Sequence, residues 1–162
     1  VRRTKNSEPR FVGGFNVNLR YKNFDLMALF QGALGAETYI QTWSGTVGNY
    51  LKDFYDKRWT IENPNVEHPR AYERENQYWI SNSNTYFIRS CDYLRLKNIE
   101  LGYNITLPAL KNAGISNARI YVNATNIFTI DKLKVADPEA DDRNITSYPQ
   151  RRVVNFGVSL TF

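Results

Sequence analysis

The chain has 162 residues, a formal net charge of +5, 42% hydrophobic and 14% aromatic residues. It suits one domain by length, and it holds no run of ~18 apolar residues, which excludes a membrane-crossing helix but not alternating barrel strands. The positive charge comes without zinc spacing, a recognition helix or an RNP-like strand, so nucleic-acid binding is not expected; Arg2, Arg3, Lys5, Arg10, Arg151 and Arg152 read as solvated loop ends. In chain order, residues 11–21 alternate: Phe11, Phe15, Val17, Leu19 and Tyr21 share one face, and Val12, Asn16, Asn18 and Arg20 share the other. A period of two with apolar residues on one side predicts a strand that meets an apolar medium on one face only. Lys22-Asn23 predicts a tight turn in which Asn tolerates positive φ, and 24–34 the return strand of a hairpin.

A long stretch over 35–91 follows, rich in Asn, Gly, Tyr and Trp. Asn49 could cap a short helix over 50–59, and Asn63-Pro64-Asn65 would end it. So long a loop is uncommon inside a compact soluble domain but ordinary on the outer side of a membrane barrel. The third strand, 92–105, alternates only if one bulge near Lys97-Asn98 resets its phase, which leaves Arg95 and Glu100 on the polar face. Pro108 to Gly114 predicts a single helical turn. The fourth strand, 118–129, puts Ile120, Val122, Ala124 and Phe128 on the apolar face, with Asn126 interrupting it. A second polar loop covers 130–151. The last strand, 152–162, carries Val154, Phe156, Val158, Leu160 and Phe162 on one face.

The connections therefore read short, long, short, long. With long loops outside, the chain ends on the periplasmic side, where an aromatic terminus belongs. Five strands cannot close a barrel, and an open sheet in lipid leaves backbone groups unsatisfied at several kcal/mol each, so the chain is expected to be part of something larger. No apolar leader begins at Val1, which fits a processed chain or a piece.

Three stretches together resemble the carboxy-terminal part of SusC/RagA-family TonB-linked outer-membrane transporters. They are 92–103 (DYLRLKNIELGY) with Leu107-Pro108, 114–129 (GISNARIYVNATNIFT), and Asp137-Pro138-Glu139 with Ser147-Tyr148-Pro149-Gln150 and the final strand. The resemblance implies an all-β fold: the last five antiparallel strands of a barrel of about 22 strands with a plug. It further implies import of glycans or peptides powered through TonB, and a SusD-like lipoprotein lid. Implied partners are the rest of the barrel and plug, the TonB complex through an amino-terminal segment not contained here, outer-membrane lipid of a Gram-negative bacterium, and barrel-assembly machinery. That machinery would read the ending Phe156, Val158, Leu160 and Phe162.

Candidate contact residues for ligand or lid are Trp43, Trp59, Tyr72, Tyr78, Trp79 and Tyr86, because flat aromatic faces can stack on sugar rings. Packing of the loop on itself is the competing role. Asp137, Glu139, Asp141 and Asp142 offer carboxylates that suit calcium, but without the EF-hand spacing they read as a solvated loop. His68 has no second His nearby, and Cys91 is alone, so no metal, cofactor or internal disulfide is expected. No nucleophile–base pair is evident, so no enzyme activity is expected. The competing function is a secreted β-sandwich module that binds carbohydrate.

Overall fold

The structure, a computed structural model, describes residues 5–40, 51–70, 85–112, 114–140 and 147–162. Its frame is one five-stranded antiparallel sheet in the order β1-β2-β5-β6-β7. The strands are β1 Phe11–Tyr21, β2 Phe24–Leu34, β5 Tyr93–Ile105, β6 Asn117–Asp131 and β7 Val153–Thr161. A small antiparallel pair, β3 Glu37–Tyr39 and β4 Ile88–Ser90, closes the base of the first long loop.

Register keeps the apolar residues in phase across all five strands. Leu19 pairs with Leu26, Leu26 with Leu101, Leu101 with Val122, and Val122 with Phe156. Because the side-chain period is two, a slip of one residue would move a whole strand's apolar set to the other face. On that face Phe15 stacks on Phe30 and Phe24 meets Tyr103 at a tilt, each pair with ring centroids 4.7 Å apart.

The bulge falls where the alternation demands it. Leu29 pairs with Asn98 and Phe30 with Leu96, so Lys97 is the extra residue of β5. The facing strand answers it. Leu96 pairs with Phe128 and Asn98 with Thr125, leaving Asn126 and Ile127 opposite Lys97. Asn126 takes φ +54°, a left-handed conformation that Asn tolerates, and so leaves the apolar face it interrupts in the sequence.

The first turn differs from expectation. Positive φ is at Lys22 (53°) and not at Asn23. Asn23 instead ties two turns together: its side chain donates to Thr106 Oγ1 at 3.0 Å, and its carbonyl accepts from the Asn104 amide at 2.8 Å. The second turn holds the expected helical turn, α2 (Pro108–Asn112), followed by Gly114 at φ +77°. At this end Tyr21, Phe24 and Tyr103 are neighbours, and Thr161, next to Phe162, pairs with Asn117.

The described part of the first long loop is more ordered than a polar loop suggests. Its helix, α1 (Lys52–Asp56), is shorter than the 50–59 expected, and the Asn49 cap lies outside the described residues. Among the described residues, no helix is long and apolar enough to cross a membrane, which says nothing about strands.

Candidate functional site: a two-faced wall with a clamped loop

The polar face of the sheet carries two charged networks. Near the turn end, Arg119 on β6 reaches across β5 to Asp25 on β2 and also donates to Glu100 at 2.7 Å. Asn104 supports Asp25 with a 3.1 Å hydrogen bond. The space for this is made by glycine. A Cβ on Gly102 would lie 2.2 Å from Arg119 Nη2, and one on Gly157 would lie 2.3 Å from Tyr121 Cζ. Arg119 lies over the Tyr121 ring at 5.1 Å, so cation and aromatic ring lie flat on a floor kept bare by the two glycines.

Near the loop end, Arg95 on β5 is only 3% exposed. Its guanidinium donates to Asp137 at 2.8 Å, to Glu139, and to Thr129 Oγ1 at 3.0 Å. Lys97, freed by the bulge, donates to Glu139 at 3.0 Å and to Gln150 at 3.1 Å. Tyr93 donates its hydroxyl to Glu139 at 2.7 Å. The returning arm closes the clamp: the Gln150 amide donates to Asp137 at 2.9 Å. Burial pulls the Asp137 carboxyl up, but the Gln150 and Glu139 amides and Arg95 more than offset this and hold it below the usual carboxylate range.

This corrects the expectation of a solvated acidic loop. Asp137 and Glu139 are ion-paired against the wall with side chains 7% and 17% exposed. Asp141 and Asp142 lie outside the described residues. The sequence signal was present but split: Arg95 falls at a polar-face position of β5, while its acids lie 42 and 44 residues further on. Asp92 ties the two loops at their roots. It accepts the Gly35 amide at 2.7 Å and Lys132 Nζ at 2.7 Å.

The first loop is built on a buried histidine. His68, 2% exposed, meets the Tyr86 hydroxyl at 2.6 Å through Nδ1 and Asp53 at 3.2 Å through Nε2. Its ring packs on Phe54 with centroids 5.1 Å apart, and its backbone bonds to Lys57 and Trp59. Three segments of the loop thus converge on one side chain, which gives His68 a structural role. Lys57 foremost, then His68, hold the Asp53 carboxyl low against the opposing effect of burial; burial pushes the Tyr86 hydroxyl up to about 12.

Of the aromatic candidates, Trp59 and Tyr86 are described; Trp43, Tyr72, Tyr78 and Trp79 lie outside the described residues. Tyr86 is half-buried in the His68 cluster, where it touches Phe87 edge-on at 5.1 Å. Trp59 is 36% exposed. Among the described residues, no ring contact brings the two together into one surface. Nearby, exposed Tyr55 carries the Arg58 guanidinium over its ring at 3.8 Å. The ending residues Phe156, Val158, Leu160 and Phe162 project from the apolar face and are exposed, Phe156 and Phe162 each at 83%.

A wall of antiparallel strands with one apolar face, one charged face and short turns at one end is a segment of a membrane-type β-barrel. No family model matches the chain. Among curated proteins it is 33% identical to TonB-dependent receptor P3 and 30% identical to TonB-dependent receptor P26, both from Formosa agariphila, over 95% of this chain in each case. It spans 16% and 17% of those proteins' lengths. Among solved structures it superposes on a chain of the RagAB peptide transporter with a TM-score of 0.76 and 26% identity, covering 100% of this chain and 18% of that one. The RagAB peptide importer in its closed-closed state gives a TM-score of 0.76 and 26% identity over 99% of this chain.

The chain matches a segment of TonB-dependent receptors of the SusC/RagA type, and its sheet matches part of a barrel wall.

Proposed function

We propose that the chain forms the last five strands of a plugged outer-membrane barrel that imports glycans or peptides, powered through TonB. The apolar face meets lipid and the charged face lines the lumen. The loop ends lie outside the cell, where a SusD-like lipoprotein lid would meet residues 35–91 and 130–151. Trp43, Trp59, Tyr72, Tyr78, Trp79 and Tyr86 are the proposed lid or ligand contacts. The ending Phe156, Val158, Leu160 and Phe162 is the proposed assembly signal.

The observation that carries this reading is the pairing of opposites on one sheet. Phe156 and Val158 stand bare on one face, while Arg95 and Arg119 are bonded into networks on the other. A strand of nine residues such as β7 rises ~30 Å at about 3.3 Å per residue, enough to cross the apolar band of an outer membrane. A secreted sandwich would cover the apolar face with a second sheet. Among the described residues, the other sheet is the short β3–β4 pair at the base of a loop.

The test is an immunoblot of fractionated source cells with an antibody against residues 137–162. The expected result is a band several times larger than 18.9 kDa in the outer-membrane fraction. A band of that size in the soluble fraction overturns the barrel reading.

A further inference from the structure

Between the two arms of the clamped loop lies a cavity of about 430 Å³. Arg95, Thr129 and Asp131 line it from the strands, Asn126 from the bulge, and Lys134 and Arg152 from the arms. Each guanidinium nitrogen of Arg95 already donates within the protein. What the fold leaves unmatched is specific. Asn126 Oδ1 is buried without a hydrogen-bond partner, while its Nδ2 is held by the Arg151 carbonyl at 3.1 Å. The Lys134 and Arg152 side chains are exposed and make no ion pair among the described residues. Val135, Ala136, Pro138 and Pro149 add apolar wall.

A buried acceptor without a donor is costly, and the cost is removed when a ligand supplies the donor. The complement of this cavity is a group that brings one N–H for Asn126, a carboxylate for Lys134 and Arg152, and an apolar side chain between them. The last residue of a peptide has all three on adjacent atoms. A sugar acid brings several hydroxyls, each needing its own partner, and little to fill the apolar wall.

We infer that this cavity is a binding site for the free carboxy-terminus of a peptide on the lumen side of the barrel, with Asn126 taking the terminal amide N–H and Lys134 and Arg152 taking the carboxylate. The inference rests on the import reading and specifies its cargo.

The experiment uses the full-length parent receptor in detergent. A pool of random octapeptides, as free acids and as carboxy-terminal amides, is equilibrated with it across a dialysis membrane, and retained peptide is measured. The free acids should be retained about tenfold more than the amides, as expected for a charge-assisted contact. The double variant Lys134→Gln, Arg152→Gln should erase that preference. Asn126→Gly, which keeps the positive φ, should weaken both forms. Equal retention of acid and amide by the unaltered receptor, or a preference that survives the double variant, overturns the site. Retention of trigalacturonate in place of the peptide acids also overturns it and assigns the cavity to acidic sugars. Uptake of the pool by cells with and without the receptor separates the two readings. Uptake that ignores the terminus sinks the site alone. Absence of uptake sinks peptide import and the site with it.

Discussion

Arg95 and Asp137 stand 42 residues apart in sequence and 2.8 Å apart in space, both side chains nearly buried. The contact turns what reads as a free loop into part of the barrel wall. Removing one partner of a buried pair leaves the other charge uncompensated. Arg95→Met in the parent barrel should therefore release the 132–150 loop, at a local cost of about 3 kcal/mol or more. Protease cleavage within 132–150, absent in the unaltered barrel and rapid in the variant, is the measurement. Equal resistance in both would show that the loop is held elsewhere.

The same clamp sets a pH limit. Asp137 is held below the usual carboxylate value, so the folded loop prefers the ionised form. Its contribution is complete above the unfolded carboxylate value of about 4 and fades as pH falls through the lower folded value. Asp53 and Asp92 are lowered in the same sense, chiefly by Lys57 and Lys132. Both loops should hold unchanged from pH 8 to 5 and loosen only below about 4. Amide exchange of 85–92 and 132–140 across that range would show it; loosening between pH 7 and 6 would implicate another group.

His68 offers an independent test of the first loop. His68→Leu keeps bulk against Phe54 but removes the hydrogen bonds that His68 makes to Asp53 and Tyr86, while Lys57 still pairs with Asp53. Losing a hydrogen bond of this kind costs about 0.5–1.5 kcal/mol. Segment 57–70 should become cleavable while β1, β2 and β5–β7 keep their heat-resistant barrel mobility. If the segment stays protected, the histidine only fills space.

Much of the wall was legible because the period of two is strict. The phase error between Leu96 and Ile99 places a bulge near Lys97-Asn98 from the sequence alone, and the register puts the extra residue at Lys97. Asn126 looked like a fault in one strand, and only the facing register shows it as the answer to that bulge. The clamp was not legible, since Asp137 and Glu139 carry the composition of a solvated loop and nothing local says that Arg95 waits for them. His68 was undervalued for the same reason: its partners, Asp53 and Tyr86, lie 15 and 18 residues away on opposite sides. Strand periodicity is local information, while ion pairs across loops are set by tertiary folding.

The bare floor of the polar face makes a steric prediction. Gly157→Val would drive its side chain into Tyr121, and Gly102→Val into Arg119. Overpacking of this kind costs about 1–3 kcal/mol. Both variants should lower the melting temperature of the parent barrel. Gly157→Val with Tyr121→Ala should recover part of the loss, because the atom it meets is gone. No recovery would show that the glycine serves the backbone and not the ring.

Val158 and Ser159 are neighbours in β7 that face opposite ways. Val158 pairs with Ile120 on the apolar face, and Ser159 pairs with Arg119 on the charged one. An Arg on the lipid side near the bilayer centre costs ~2–4 kcal/mol, and one on the lumen side much less. Val158→Arg should therefore cut the yield of folded, heat-modifiable parent barrel sharply. Ser159→Arg sits beside a cation already shared by Asp25 and Glu100, so its penalty should be the smaller one set by repulsion in a wet lumen. The ratio of folded yields tests the face assignment directly. Equal losses would mean that β7 does not separate lipid from lumen.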